Sequence, residues 1–284
     1  MVEGAVSTSR LGRYPTLTRG HLTLQCRRRL TAAARWVLAS AVLLVAPDAA
    51  AAEIKVLSAG AVREALQELA PTFERSTHHR LEITYGTAGT LRAMLDKGAR
   101  ADVIILPVEG MADAAANGWV QAGTRRDLAR VAIGMAVRKG APQPDITTPE
   151  ALRRALLEAS AVAYMDPTRG TSGRYFDRVV LPALGIASEV HAKAKLQTEG
   201  SAAEFVRRGE ADIAIQQVSE LLAVDGVTVV GTLPAPLQKV STYSAAIAAN
   251  AQAPEPARQF IEFLGTPASK TVFRARGMDA VPVP

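Results

Sequence analysis

The stretch Ile54-Lys55-Val56-Leu57-Ser58-Ala59-Gly60-Ala61 decides the fold. Its first half is a short apolar run and reads as a buried strand. The small residues behind it read as a turn into a helix, because Val62, Ala65, Leu66, Leu69, Ala70 and Phe73 recur at helical spacing. The same unit then repeats. Leu81-Glu82-Ile83-Thr84 predicts a second strand, ending at Gly86-Thr87-Ala88-Gly89 and followed by a helix from Thr90 that Gly98 closes. Asp102 to Leu106 is a third strand, and the helix after Glu109 stops at Asn117-Gly118, a good C-cap. A β-α-β-α-β order marks α/β architecture, a mostly parallel sheet covered by helices.

Further along, the alternation starts again. Val131 to Val137 is a strand, and Thr148-Pro149-Glu150 opens a helix with Thr148 as N-cap and Pro149 in the first turn. Val162 to Met165 is a strand. Arg169-Gly170-Thr171-Ser172-Gly173 leads into a helix whose apolar positions are Tyr175, Phe176, Val179, Val180, Ala183 and Leu184. Val190 to Leu196 reads as a strand, Ser201 to Arg208 as a short helix, and Asp212–Ile215 and Val227–Val230 as strands. Val240 to Ala248 is extended, and two helices (255–264 and 267–276) finish the chain. This layout predicts two lobes: 53–130 plus 240–284, and 138–235. Crossings near 131–137 and 236–248 would join them, with a ligand cleft between the lobes.

Composition narrows the function. The chain is 48% hydrophobic and 21% charged, which excludes a largely disordered polymer. A net charge of +6 suggests a nucleic-acid binder at first sight. But residues 1–52 hold Arg10, Arg13, Arg19, Arg27, Arg28, Arg29 and Arg35 against only Glu3 and Asp48, so the rest is nearly neutral and no nucleic-acid partner is expected. Those arginines precede an apolar run, Trp36 to Ala46, too short to span a bilayer, and Ala50-Ala51-Ala52 follows with small residues. Residues 1–52 therefore read as a secretory signal, with Glu53 the expected mature start and the periplasm the expected compartment. Cys26 falls inside that segment, so the expected mature chain has neither disulfide nor thiolate chemistry.

In an open α/β sheet, ligands bind at the carboxyl ends of the strands. Here those ends carry Ser58-Ala59-Gly60-Ala61, Thr87-Ala88-Gly89 and Gly170-Thr171-Ser172-Gly173. Helix starts present unpaired N–H groups that favour an anion, glycine admits close approach, and hydroxyls add donors. Three such ends converging from two lobes would make an anion cage. Arg174 could pair with a carboxylate or oxyanion, with Arg169 a weaker candidate. Gln216 and Gln217 could hydrogen-bond a ligand. Tyr243 reads as packing, and Glu199 is expected to face solvent or pair with a base. His78 and His79 are adjacent with no third ligand nearby, so neither a metal site nor a cofactor is expected. There is no Gly-x-Ser-x-Gly elbow and no phosphate loop.

These segments together resemble a family, the type II periplasmic solute-binding proteins, and most of all the molybdate-binding components of ABC importers. The resemblance rests on 54–61, on Tyr85-Gly86-Thr87-Ala88-Gly89-Thr90-Leu91, on Ala101-Asp102-Val103, on Asp166-Pro167 with Ser172-Gly173-Arg174-Tyr175, and on Phe260 to Gly277. It implies an anion held by Ser58, Ala59, Gly60, Ala61, Thr87, Ala88, Gly89, Thr171, Ser172, Arg174 and Gln217. Ala61 stands where the family has a serine and Gln217 where it has a tyrosine, which leaves room for another oxyanion or a small carboxylate. The expectation is a monomeric, non-enzymatic receptor that delivers a small anion to a membrane ABC permease. Two alternatives are a dehydratase-like enzyme on the same scaffold and a ligand-sensing partner of a membrane signalling protein. The enzyme would need a general acid or base, for which Glu199 and Glu109 are the candidates, each without a visible partner.

Overall fold

The structure, a computed structural model, describes residues 51–280. The expected secretory segment lies outside these residues, except for Ala51 and Ala52. The described residues form ten strands: β1 (Glu53–Ala59), β2 (Arg80–Gly86), β3 (Val103–Pro107), β4 (Arg126–Arg138), β5 (Val162–Met165), β6 (Ala194–Gln197), β7 (Ile213–Gln217), β8 (Val227–Thr232), β9 (Val240–Ile247) and β10 (Asp279–Ala280). β1 pairs in parallel with β2 and β3, and β5 pairs in parallel with β6 and β7. These are the two alternating units of the sequence.

β4 joins them. Its first half, Arg126 to Ala132, runs antiparallel to β9, and its second half, Ile133 to Arg138, runs antiparallel to β7 and β8. β9 in turn pairs antiparallel with β3. The hydrophobic cores divide where β4 changes partners. One core gathers residues from Ile54 to Val131 with Tyr243 to Met278. Two smaller clusters draw on Ile133 to Leu237. The result is a two-lobed α/β fold with helices against each sheet.

In lobe one, the helix Arg63–Thr77 buries Ala65, Leu66, Leu69 and Phe73. Phe73 is the hub of an aromatic group, 5.0 Å from Phe260 and 5.4 Å from Phe263 between ring centroids, so the helix Pro254–Leu264 locks onto it. Burying a phenylalanine of this kind is worth about 2–3 kcal/mol. His78 adopts a left-handed conformation that ends the first helix, and His79 Nδ1 accepts a hydrogen bond from the Ala52 N–H at 3.1 Å. Among the described residues no cluster of His, Cys, Asp or Glu is arranged to hold a metal ion, and no helix is long and apolar enough to cross a membrane.

Lobe two departs from the sequence reading at three places. The segment from Thr171 to Leu184 is one helical stretch interrupted by a π turn at Phe176–Val180. The wider turn shifts the phase of the buried face. Phe176, Val180, Leu181 and Leu184 are buried, while Val179 and Ala183 face solvent. The expected strand from Val190 begins only at Ala194, because Ala187–His191 forms a helical turn that buries Val190. A short helix at Val218–Leu222, directly behind β7, has no counterpart in the expectations.

Candidate functional site

The carboxyl ends of β1, β2, β5 and β7 meet at a cavity of about 230 Å³ between the lobes. Lobe one lines it with Ala59, Gly60 and Ala61 behind β1 and with Thr87 and Ala88 behind β2. Lobe two brings Gly170, Thr171 and Ser172 behind β5, and Gln217, Ser219 and Glu220 at the end of β7. Tyr243 of β9 closes the back.

The turns are built for close approach. Thr87 is extended, and its Oγ1 accepts from the Thr90 N–H at 3.1 Å, capping the helix Ala88–Asp96. Such a cap stabilises a helix by about 1 kcal/mol. Gly173 has no room for a side chain, since a Cβ there would overlap the Met165 carbonyl. The 170–173 turn is thereby pressed onto the end of β5. Gln217 Nε2 donates to Tyr243 Oη at 3.2 Å and to Thr171 Oγ1 at 3.4 Å, tying three lining residues together.

The lobes touch on both sides of the cavity. The Gly89 N–H donates to the Arg169 carbonyl at 3.1 Å, and Thr90 Oγ1 donates to Glu199 Oε1 at 2.7 Å. Arg169 Nη1 stands 3.8 Å from the same Glu199 oxygen. On the other side, Ser219 Oγ donates to the Ala61 carbonyl at 2.8 Å.

Of the residues expected to hold an anion, Ala59, Gly60, Ala61, Thr87, Ala88, Thr171, Ser172 and Gln217 come together at the cavity. Three do not line it. Ser58 is fully buried, with its hydroxyl 3.2 Å from the Ala59 carbonyl. The Gly89 N–H is occupied by Arg169. Arg174 is exposed and donates to the Pro167 carbonyl at 3.2 Å, because the first turn of its helix aims it away from the cleft. Gln216 is also taken: its Oε1 accepts from the Ala202 N–H at 2.7 Å and its Nε2 donates to the Gly200 carbonyl at 3.1 Å, which shapes the loop that carries Glu199.

Both glutamates expected to lack partners have them. Glu199 has Thr90 and Arg169. Glu109 has Lys239 Nζ at 3.0 Å. Burial works to raise the Glu109 carboxyl, but its own backbone N–H and the Lys239 ammonium outweigh it, and the net shift is downward. Such a paired, ionised carboxylate is a poor proton donor at neutral pH.

Glu220 escaped the sequence reading. It sits in the helix Val218–Leu222 and its Oε1 lies 3.2 Å from where a Cβ on Gly60 would stand. Burial pushes its carboxyl up to about 7, against a hydrogen bond from Gln216 and the more distant charge of Arg63. No salt bridge to Glu220 is present among the described residues. Tyr243 is driven upward by burial and by the nearby Glu220 charge, partly offset by Thr171, so it remains a phenol. Arg63 also lines the cavity, with its guanidinium 4.4 Å above the Tyr85 ring. The available signal for Glu220 was its place three residues behind the last residue of β7, in the first turn after a strand end.

Two lobes, parallel strands ending at a shared cleft and a crossing strand common to both sheets define a binding-protein architecture. The family model for bacterial extracellular solute-binding proteins matches residues 54–279, and the chain belongs to that family. Solved structures agree on the fold. The periplasmic molybdate-binding protein of Azotobacter vinelandii superposes with a TM-score of 0.69 at 20% identity, covering 81% of this chain and all of that one. The sulfate-binding protein SubI of Mycobacterium tuberculosis gives 0.65 at 18% identity, covering 81% of this chain and 87% of that one.

Among curated relatives, the molybdate-binding protein ModA of Escherichia coli is 26% identical over 79% of this chain and 88% of its own. An aconitate isomerase from a Pseudomonas species is 34% identical over 87% of this chain and 94% of its own. The second relative corrects the expectation of a non-enzymatic receptor, since a protein similar along nearly its whole length is an enzyme.

Proposed function

We propose that this protein holds a small unsaturated polycarboxylate between its lobes and interconvert its double-bond isomers, acting in the periplasm as a monomer. The observation that carries this reading is the 34% identity to an aconitate isomerase across nearly the full length of both chains. The site supports it in two ways. A cavity of about 230 Å³ is below the usual range for drug-sized ligands and suits a small metabolite. The hydroxyls and turns at Gly60, Thr87, Thr171 and Ser172 suit carboxylate oxygens. The lobes are taken as 53–130 plus 240–284 and 138–235, with the substrate sealed between them as they close.

The reaction requires only that a proton leave a carbon beside the double bond and return at the far alkene carbon. No net oxidation, water or cofactor is involved. The test is incubation of purified protein with cis-aconitate, followed by proton NMR. Appearance of the trans isomer is expected, and a spectrum unchanged from the protein-free control sinks the reading.

A second reading is favoured by the family match over 54–279: capture of an anion, a molybdate-like oxyanion or a small carboxylate, and its delivery to a membrane ABC permease. A thermal-shift panel of molybdate, tungstate, sulfate, phosphate and aconitate separates the two. Ligand at 100-fold over Kd stabilises the native state by about 2.7 kcal/mol. Stabilisation by molybdate without turnover of aconitate selects the receptor.

A further inference from the structure

We propose that Glu220 is the group that carries the proton in the isomerisation. The inference rests on the isomerase reading above and names the side chain that would perform it.

The cavity offers five titratable side chains: Arg63, Glu64, Glu199, Glu220 and Tyr243. Arginine has no acceptor and stays charged at any working pH, and Arg63 is stacked on Tyr85. Glu199 already accepts from Thr90 and faces Arg169 on the rim. Tyr243 is bound by Gln217, and burial holds its proton on. Glu64 stands part-exposed in the first turn of the helix Arg63–Thr77, on the lobe-one side of the cleft. Glu220 remains. Its carboxyl projects across the cleft to within reach of the β1 turn, and Gly60 supplies the space it occupies.

The groups facing it are Arg63 and Glu64 from lobe one, Tyr243 from β9 and Gln216 from β7. Burial is the largest influence and brings the carboxyl to about 7. A general acid–base group works best with a pKa near the operating pH, where both forms are populated.

The step balances without a co-reactant. The Glu220 carboxylate takes a proton from the methylene carbon beside the alkene, and that C–H bond pair becomes the new C=C bond. The former π pair moves to the far alkene carbon, its charge spread onto the carboxylate attached there. The Glu220 carboxyl then returns the proton to that carbon. One C–H bond is broken, one is formed, and the double bond has moved by one position. Thr171 and Ser172 also line the cavity from lobe two, and their hydroxyls can donate to the carboxylate that carries the transient charge.

The experiment compares wild type, E220Q, E220D and E199Q with cis-aconitate as substrate, scoring initial rates by NMR across pH and the melting shift that aconitate induces. The expected result is a kcat loss of about 100-fold or more in E220Q, in the range seen for general acid–base groups, with the aconitate-induced melting shift retained. In E220D the rate limb near neutrality should move. E220Q turning over within about fivefold of an active wild type overturns the proposal and leaves the isomerase reading standing. Should E220Q fail to fold, E220D with an unchanged pH–rate limb overturns it equally. A wild type with no turnover overturns the isomerase reading and this assignment together.

Discussion

The rim and the floor of the cleft each bring a glutamate from lobe two against lobe one, and the two are treated differently. On the rim, Glu199 is half exposed, accepts from Thr90 and lies beside Arg169. On the floor, Glu220 is half-buried against Gly60 with no cation in salt-bridge range among the described residues. Solvent and a guanidinium surround the first, whereas desolvation lifts the second to about 7. One residue type therefore serves as a latch at one end and as a titrating group at the other. Environment decides which.

The contrast breaks most severely at Gly173, which presses the 170–173 turn onto β5. Gly173→Ala would drive a methyl into the Met165 carbonyl. Overpacking of this kind costs about 3 kcal/mol or more where backbone must move. A lowered urea midpoint with an unchanged slope is the expected signature.

The floor is sharpened by pH. The folded Glu220 carboxyl titrates near 7, above its ordinary value of 4.5. Below pH 4.5 both folded and unfolded states hold the proton and there is no penalty. As pH rises, the unfolded chain ionises first, and the penalty on the native state grows until pH 7 and then stays constant. Glu220→Gln removes it. The variant should match wild type at pH 4 and exceed it by up to about 3 kcal/mol at pH 8. Chemical denaturation at the two pH values measures this, and equal stabilities at pH 8 would show a solvated carboxyl.

Gln217→Ala comes next. It strips Tyr243 Oη of its donor at 3.2 Å, and losing one buried hydrogen bond costs about 1 kcal/mol. Calorimetry should record a lower Tm. The smallest effect belongs to the rim. Glu199→Gln should change stability by less than about 1 kcal/mol, and the difference should shrink further in high salt.

How much of this was legible in the sequence depended on distance along the chain. β1, β2, β5 and β7, and the small-residue turns behind them, were readable because strand patterning and turn chemistry are local. The gathering of Gly60, Thr87, Thr171 and Gln217 at one cavity followed from topology, since parallel strands end on the same side. Glu220 was not readable, because its character comes from Gly60, some 160 residues away, and from burial that a five-residue helix does not announce. Arg174 was misjudged for a related reason: adjacency to Ser172 and Gly173 says nothing of which way a helix turn aims a side chain. The π turn at Phe176–Val180 moved Val179 and Ala183 outward because the helical period assumed no extra residue. The expectation of a receptor without catalysis failed because family likeness speaks to scaffold, while chemistry resides in single side chains.

The pairing of β3 with β9 has a consequence for biosynthesis. β3 pairs with β1 on one side, and on the other its partner is β9, which begins only at Val240. The core of lobe one also needs Phe260, Phe273 and Met278. A nascent chain thus makes the first strands of that lobe early but leaves them an open edge while the whole of the other lobe is translated. The half that starts first is finished last, because its core cannot close until the final helices are available.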